Sequence, residues 1–287
     1  PLLPIHAAFS IVLRVLREHG VDTVMHFAAH TIVPESVADP LKYYGNNTCA
    51  TQNLLWCCTA AGVKQFVFSS TAAVYGIPTG SYAEETTPTA PINPYGASKW
   101  MIERMLADYR SAYGLGAFCL RYFNASGADA SGGIGELRGN ETHLIPRAMM
   151  ALQGHVADFA VFGDDYDTPD GTAIRDYIHI TDLADAHYRA LLHLRNGGPS
   201  DFLNLGTGRG YSILEVIQAA REVTGKEIKT VMQDRRPGDP PRLVADNKKA
   251  KAVLGWEPQQ SDLRSIIESA WRWHQRNPAG YGTPEGK

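Results

Sequence analysis

Short segments rich in β-formers alternate with helix-patterned segments along this chain, and no other feature of the sequence limits the fold as strongly. A helix stop at Gly20 precedes the apolar stretch 21–29 (VDTVMHFAA), which reads as a buried strand. A helical pattern follows over 46–61 and stops at Gly62. Residues 64–70 (KQFVFSS) form a second strand pattern. A loop punctuated by Pro88, Pro91 and Pro94 leads to a helix over 95–113 and a third strand at 116–123 (GAFCLRYF). Parallel neighbours require crossover connections, and helices provide them on both faces of the sheet. The expected fold class is therefore α/β, with a doubly wound parallel sheet.

After Asn124 the pattern changes. A glycine-rich stretch (131–139) precedes a helix near 143–152, and a strand at 158–162 enters a polar loop through Gly171. A strand is expected over 175–180, with Thr181 and Asp182 capping a helix to about 195. Asp185 reads as a further first-turn charge of that helix. The strand 201–205 ends at Gly206-Thr207-Gly208, and Ser212-Ile213-Leu214-Glu215 is a capping box. A polar segment (233–242) and a last helix (262–274) follow; the tail after Asn277 is the one low-complexity candidate.

Composition removes several function classes. With 27 Lys+Arg against 30 Asp+Glu the net charge is −3, which offers nothing to nucleic acid or an anionic membrane. Hydrophobic residues at 44% and charged residues at 20% exclude wholesale disorder. No apolar run approaches the roughly 18 residues a spanning helix needs, and residues 7–13 lack the flanks of a secretory signal. Cys49, Cys57, Cys58 and Cys119 have neither Cys-x-x-Cys nor Cys/His metal spacing, so they read as buried, reduced thiols of a cytoplasmic protein. His179 and His187 have no metal-ligand partners and read as structural, and Trp256, Trp271 and Trp273 as packing residues. No metal site is expected.

The strongest chemical signal is Tyr95-Gly96-Ala97-Ser98-Lys99. Residues four apart share a helix face, so the phenol lies one turn from the ammonium. A neighbouring cation favours phenolate and lowers the tyrosine pKa. Taken alone, Tyr-x-x-x-Lys is a common solvated helix face. Here a strand ends at Ser69-Ser70-Thr71, which puts hydroxyls at the carboxyl end of a strand, where open α/β sheets bind ligands. Arg175 and Arg236 offer planar forks suited to phosphate, although either one alone reads as an ordinary surface ion pair.

The motifs HFAAH (26–30), SSTAAVYG (69–76), NPYGASK (93–99), LRYFNASGA (120–128), GDDYDTPDGTAIRDYIHITDLADAH (163–187), NLGTG (204–208) and RRPGDPPRLVAD (235–246) follow one another in order. Through them the chain resembles the extended short-chain dehydrogenase/reductases over about residues 21–282, and the 163–187 run is similar to the UDP-sugar 4-epimerases among them. The resemblance implies a Rossmann-like sheet domain, here 1–125 with 174–206, and a smaller mixed α/β UDP-sugar domain, 126–173 with 207–287. It implies NAD as cofactor, a UDP-hexose as substrate and a homodimer built on the 46–61 and 95–113 helices. The implied reaction is epimerisation at C4, interconverting UDP-glucose and UDP-galactose through a 4-keto sugar. Tyr95 is then the acid/base, Lys99 its electrostatic partner on the nicotinamide ribose, and Thr71 the hydroxyl bridging Tyr95 to the sugar. Phe27, Ala28 and Ala29 line the adenosine side of NAD, with Asn46 nearby and Tyr122 beside the nicotinamide. Asn124, Arg175, Arg236 and Asp239 hold the nucleotide-sugar, Ala160 and Phe162 pack along the uridine, and His143 and Leu144 face the diphosphate and uracil. Leu243, seven residues after Arg236, gates the hexose pocket. Related 4,6-dehydratases carry an Asp-Glu pair where this chain has Ala72-Ala73, so elimination lacks its acid and base.

One expected element does not occur in the sequence. A dinucleotide fold opens with a strand, a Gly-x-Gly-x-x-Gly type of turn and a helix. Residues 1–20 read instead as the end of a third helix. The expectation is an N-terminal truncation of on the order of 50 residues, the size of a first βαβ unit plus a helix, with the chain as written unable to hold NAD tightly. Gly127–Gly139 and Gly206–Gly210 follow the wrong elements to replace the missing turn.

Overall fold

A computed structural model describes residues 5–80, 82–139, 141–236 and 239–278. The opening PLLP, part of the 235–246 motif and most of the tail after Asn277 lie outside them. The chain enters through helix α1 (Ile5–Glu18) and strand β1 (Thr23–His26). Two short helices, α2 (Val33–Ala38) and α3 (Pro40–Tyr43), lead into a π-helical segment, Tyr44–Cys49, that continues as α4 (Ala50–Ala61). Strand β2 (Gln65–Thr71), a 3-10 turn (Ala72–Tyr75), helix α5 (Pro94–Tyr113) and strands β3 (Gly116–Tyr122) and β4 (Asn124–Ser126) follow. Next come α6 (Leu144–Leu152), β5 (Phe159–Phe162), β6 (Ile174–Arg175), β7 (Tyr177–His179), α7 (Ile180–Arg195) and β8 (Asp201–Leu205). The chain closes with β9 (Tyr211–Ser212), α8 (Ile213–Thr224), β10 (Thr230–Gln233), β11 (Arg242–Leu243), α9 (Lys248–Leu254) and α10 (Leu263–Arg276).

The main sheet has the order β1-β2-β3-β8 and is parallel throughout, which meets the expected Rossmann-like class. The alternation of side chains along β2 decides its two faces. Phe66 and Phe68 enter a core with Leu55, Cys57, Cys58, Ile102 and Leu106, contributed by α4 and α5. Val67 points the other way, into a core with Phe118, Leu120, Leu183, Leu203 and Trp256 beneath α7. Each fully buried Phe of this kind contributes roughly 1.5–3 kcal/mol. A third core joins α6, α8 and α10 through Ile145, Met149, Phe159, Ile217, Ile266 and Ile267. Ala250 and Trp256, beyond the last strand, pack with the main sheet rather than with this third core.

Several expectations need correction. The 46–61 helix begins with a π-helical turn, and Cys49 on that turn is exposed, unlike Cys57, Cys58 and Cys119. The strand expected over 175–180 is two short strands broken at Asp176, which is fully buried. Its carboxylate accepts from Thr207 N (2.9 Å), Gly208 N (3.1 Å), Ala245 N (3.2 Å) and Thr207 Oγ1 (2.8 Å), so it ties the Gly206–Gly208 turn to β6. Helix α7 is capped by His179, whose Nδ1 accepts from Thr181 N at 3.1 Å, not by Thr181 and Asp182. Asp182 is buried and accepts from the backbone of Gln259 and Gln260, both at 2.9 Å, and from Ser261 Oγ. The Ser212/Glu215 capping box forms as expected. Trp256 and Trp273 are buried, and Trp271 packs against the third core. Among the described residues no helix is long and apolar enough to cross a membrane.

Candidate active site

Asn93-Pro94 starts α5 where the chemistry needs it. The Asn93 side chain accepts from Gly96 N at 2.8 Å and Pro94 occupies the first turn, where its missing N–H is harmless. Tyr95 and Lys99 therefore lie on the first two turns, facing the carboxyl end of β2. Gly96 makes the close approach possible: a methyl carbon built there would lie 2.5 Å from the Ala73 carbonyl oxygen. Thr71 ends β2, with its Oγ1 accepting from Ala73 N at 3.1 Å, and its side chain acts to lower the pKa of the Tyr95 phenol.

The electrostatics of this corner are dominated by burial. Burial drives the Tyr95 phenol well above its ordinary value, Tyr122 adds to that, and the Thr71 hydrogen bond opposes it. The expected lowering of Tyr95 by Lys99 is not found: the pKa of the phenol is raised, and Lys99 is not among its main influences. Lys99 is 2% exposed. Its Nζ donates to the Ser69 carbonyl at 2.8 Å and stands 4.8 Å from the Phe68 ring centroid. Burial pulls its pKa down to about 8, with Glu103 acting the other way. His26, at the end of β1, is held at about 4 by burial first and Lys99 second, so it is neutral at pH 7.

Beneath this pair runs an ordered chain of hydrogen bonds. The Leu183 carbonyl can only accept, so His187 Nδ1 carries the proton (2.7 Å) and Nε2 accepts from Ser69 Oγ (2.8 Å). Burial raises the pKa of the Tyr122 phenol, at the end of β3, and the Ser69 side chain opposes it. His187 is structural, as expected, and it also orients this side of the site. His179 is structural as well, with its Nε2 3.0 Å from Ser269 Oγ.

The anionic side of the cleft is built from shorter elements. Arg175 Nη2 donates to Asp239 Oδ1 at 3.0 Å, and the Arg236 guanidinium lies 3.9 Å from the Phe162 ring centroid. Arg147, on α6 one turn after His143, depresses the pKa of Arg236 after burial has done so, because the two cations repel. A trio of arginines with one nearby carboxylate suits a diphosphate. Asn124 Nδ2 donates to the Asp176 carbonyl at 2.9 Å. Leu243 pairs in register with Arg175 and packs on the cluster of Ala72, Val74, Tyr75 and Ala83, just beyond Thr71. His143 caps the start of α6 through its backbone, and Leu144 packs on the third core. Ala160 and Phe162 are the half-buried positions of β5.

His143 belongs to a charged knot with Glu136 and Glu141, at 3.2 and 3.0 Å. Burial opposes its charge, but hydrogen bonds to Glu136 and Glu141 prevail and hold it at about 9. The three ligand atoms lie within 4.8 Å of one another. A protonated imidazole donating to both carboxylates has no lone pair at that nitrogen for a metal ion.

Phe27, Ala28 and Ala29 lie directly after β1, with Phe27 exposed and its ring 4.8 Å from that of His187. Asn46 donates to Asn47 Oδ1 at 3.1 Å. The buried Asn47 makes the structural links, to the His30 carbonyl (3.0 Å) and to Ser98 Oγ (3.1 Å) beside Lys99. The sequence reading missed Asn47, Arg138 and Arg147; it placed Ser69 at the strand end without giving it a partner. Arg147 was visible as the residue four after His143. Arg138, which reaches Thr31 Oγ1 at 2.8 Å across the cleft, carried no local signal.

The strand ends around Phe27, Ser69, Lys99 and Tyr122 fit a nicotinamide and its ribose. An exposed aromatic ring and two alanines leave an open apolar platform, and a buried ammonium with three donors spends one on the Ser69 carbonyl. No glycine-rich strand-to-helix turn of the pyrophosphate type occurs among the described residues.

Comparison with known proteins identifies the family. Residues 8–206 match a family described as the NAD dependent epimerase/dehydratase family. The chain is 53% identical over 262 residues to a UDP-glucose 4-epimerase of Azospirillum brasilense, covering 91% of this chain and 75% of that one. Among solved structures it is similar to UDP-glucose 4-epimerase from Brucella ovis in complex with NAD, with TM-score 0.90, 49% identity, and 92% and 81% of the two chains covered. It is also similar to the Bifidobacterium longum UDP-glucose 4-epimerase in complex with NAD+ and UDP, with TM-score 0.90, 40% identity, and 95% and 82% covered.

Proposed function

The chain belongs to the NAD dependent epimerase/dehydratase family, and from that premise we propose how its residues perform NAD-dependent epimerisation at C4 of UDP-hexoses. The observation that carries the reading is the meeting of Thr71, Tyr95 and Lys99 at the carboxyl end of β2. Thr71 positions the sugar 4-hydroxyl against Tyr95, which as phenolate takes its proton when the sugar is oxidised and as phenol returns it when the keto sugar is reduced. The Lys99 cation favours the charged phenolate against the burial that holds its proton. Bound NAD would supply the hydride acceptor and donor for C4. Lys99 and Tyr122 would hold its nicotinamide side, and Phe27, Ala28, Ala29 and Asn46 its adenosine side.

Arg175, Arg236 and Asn124 hold the diphosphate and sugar, with Asp239 orienting Arg175. Phe162, Ala160, Leu144 and His143 line the nucleoside side, and Leu243 limits the hexose pocket. The anchor leaves the hexose free to turn over while the diphosphate stays fixed, which inversion at C4 requires. By the same reading 1–125 with 174–206 form the cofactor domain and 126–173 with 207–287 the UDP-sugar domain, α9 being the part of the latter that packs on the sheet. Trp56 on α4 and Met101 on α5 are exposed and support a homodimer through those helices, to be read by sedimentation equilibrium. A cytoplasmic setting goes with the free thiols.

The direct test is a coupled assay for UDP-glucose formed from UDP-galactose, with NAD supplied and the protein that carries this chain as catalyst. Turnover abolished by Tyr95→Phe supports the assignment. Tight UDP-hexose binding with no turnover in the parent would overturn it.

A further inference from the structure

Tyr95 and Lys99 are the first two members of a longer row. Glu103 lies one turn beyond Lys99 on the same face of α5. Three successive residues of β2 each engage one member of that row. Thr71 meets Tyr95, the Ser69 carbonyl accepts from Lys99 Nζ at 2.8 Å, and Ser70 Oγ donates to Glu103 Oε1 at 2.5 Å. The strand beside β2 completes the arrangement. Arg121 is the register partner of Ser70 across β2 and β3, and it donates to Glu103 from Nε (2.9 Å) and Nη2 (2.5 Å).

This ion pair is buried, with side-chain exposures of 5% for Arg121 and 9% for Glu103. Its remaining polarity is satisfied. Arg121 Nη1 donates to Tyr75 Oη at 2.9 Å, Tyr75 donates to Asn204 Oδ1 at 2.7 Å, and the guanidinium lies 4.3 Å from the Phe202 ring centroid. A buried pair is weak evidence for stability, because desolvation offsets most of the attraction. Its placement is informative instead: a helix is joined to two adjacent strands at the one level where the acid–base pair sits.

We propose that Glu103, gripped by Arg121 and Ser70, is a positioning residue for the Tyr95–Lys99 pair. It fixes which face α5 turns toward β2, and it keeps a negative charge one turn from Lys99. The inference rests on reading Tyr95–Lys99 as the acid–base pair. The groups set against Lys99 are the Ser69 carbonyl and the Phe68 ring of β2, His26 of β1, which is neutral, and Glu103 of α5. Among these Glu103 is the only anion. It opposes the burial that pulls Lys99 down to about 8, so its loss moves Lys99 further down.

The test reads Lys99 without turnover. The protein is labelled with 13Cε-lysine, the Lys99 resonance is assigned by its loss in Lys99→Arg, and its titration is followed in the parent, Glu103→Gln, Arg121→Lys and the double variant Glu103→Gln/Arg121→Met. Glu103→Gln is expected to lower the Lys99 midpoint by about one unit, and the alkaline limb of the pH–rate profile to move down with it. Glu103→Gln leaves Arg121 buried and unpaired and threatens folding; the double variant removes both charges and is expected to move the midpoint in the same direction. Arg121→Lys keeps the charges, so its midpoint stays with the parent while its thermal midpoint drops. An unchanged Lys99 midpoint in Glu103→Gln and in the double variant overturns the proposal, whatever happens to stability. Absence of epimerase activity in the parent overturns the acid–base reading instead, and is seen in a separate assay.

Discussion

The two sides of the cleft are made differently. On the sheet side, Thr71, Tyr95 and Lys99 come from a seven-residue central strand and a 20-residue helix, and all three are buried. On the side proposed to hold the nucleotide, Arg175 and Leu243 sit on two-residue strands, Arg236 and Asp239 on the segment between β10 and β11, and the Arg175–Asp239 ion pair lies at the edge of solvent. A proton transfer needs atoms held to fractions of an ångström, and parallel strands in register between neighbours supply that. Holding a flexible diphosphate needs charge more than exact placement, and short strands and loops supply it. Substitutions on the first side are therefore expected to lower turnover, and those on the second to weaken binding.

The sharpest break between the two is Tyr95→Phe. Loss of a general acid–base group costs on the order of 100- to 10,000-fold in rate, while UDP affinity measured by calorimetry stays that of the parent. A Phe variant that keeps its turnover removes the sheet side from the chemistry.

Arg175→Ala is the counterpart. Hydrogen bonds to charged groups contribute about 1.5–3 kcal/mol, or roughly 10- to 100-fold in affinity. That loss should appear in the UDP dissociation constant and in KM, with kcat nearly unchanged, and it should shrink as salt is added. A fall in kcat with unchanged UDP binding would show that the two sides are not divided in this way.

Leu243 stands at the seam, in register with Arg175 and packed beside the turn that follows Thr71. Leu243→Tyr narrows the hexose pocket. Turnover of UDP-N-acetylglucosamine is expected to fall by about tenfold, at the low end of what one pocket contact discriminates, while UDP-galactose turnover is kept. Equal N-acetyl activity in the two proteins takes Leu243 out of the specificity argument.

The smallest effect is on stability. His143 is raised from 6.5 to about 9 in the folded protein by Glu136 and Glu141, against the pull of burial. A basic group raised on folding stabilises fully below its unfolded pKa, and that stabilisation is lost as pH climbs through the folded one. The thermal midpoint should thus decline by a few degrees between pH 6.5 and about 9, and His143→Gln should flatten the decline. An equal slope in the variant places the titration elsewhere.

The sheet side was largely legible because its signals are local. The run of β-formers in β2, the hydroxyls Ser69–Thr71 at its end and the four-residue spacing of Tyr95 and Lys99 are properties of adjacent residues. The nucleotide side was legible only as separate arginines until resemblance joined them. Glu103 and Arg121 stayed hidden because they are 18 residues apart and meet only when β3 pairs with β2. Asp176 interrupts an expected strand for a similar reason. Its carboxylate answers backbone N–H groups from Thr207, Gly208 and Ala245, none of them near it in sequence. Asp182 looked like a helix-terminal charge because its partners, Gln259 and Gln260, arrive from the far end of the chain.

Gly96 gives the site one more property. Because α5 rests on the Ala73 carbonyl with no room for a methyl group, the separation of phenol and hydroxyl is set by backbone against backbone rather than by the rotamers of Tyr95 and Thr71. Rotamers loosen gradually on warming; a contact between main chains gives way only when the helix leaves the sheet. The enzyme should therefore show no gradual fading of its chemistry ahead of the melt. Heat would end catalysis and tertiary structure in a single step, so the working temperature range of the reaction is a property of β2 and α5 staying joined.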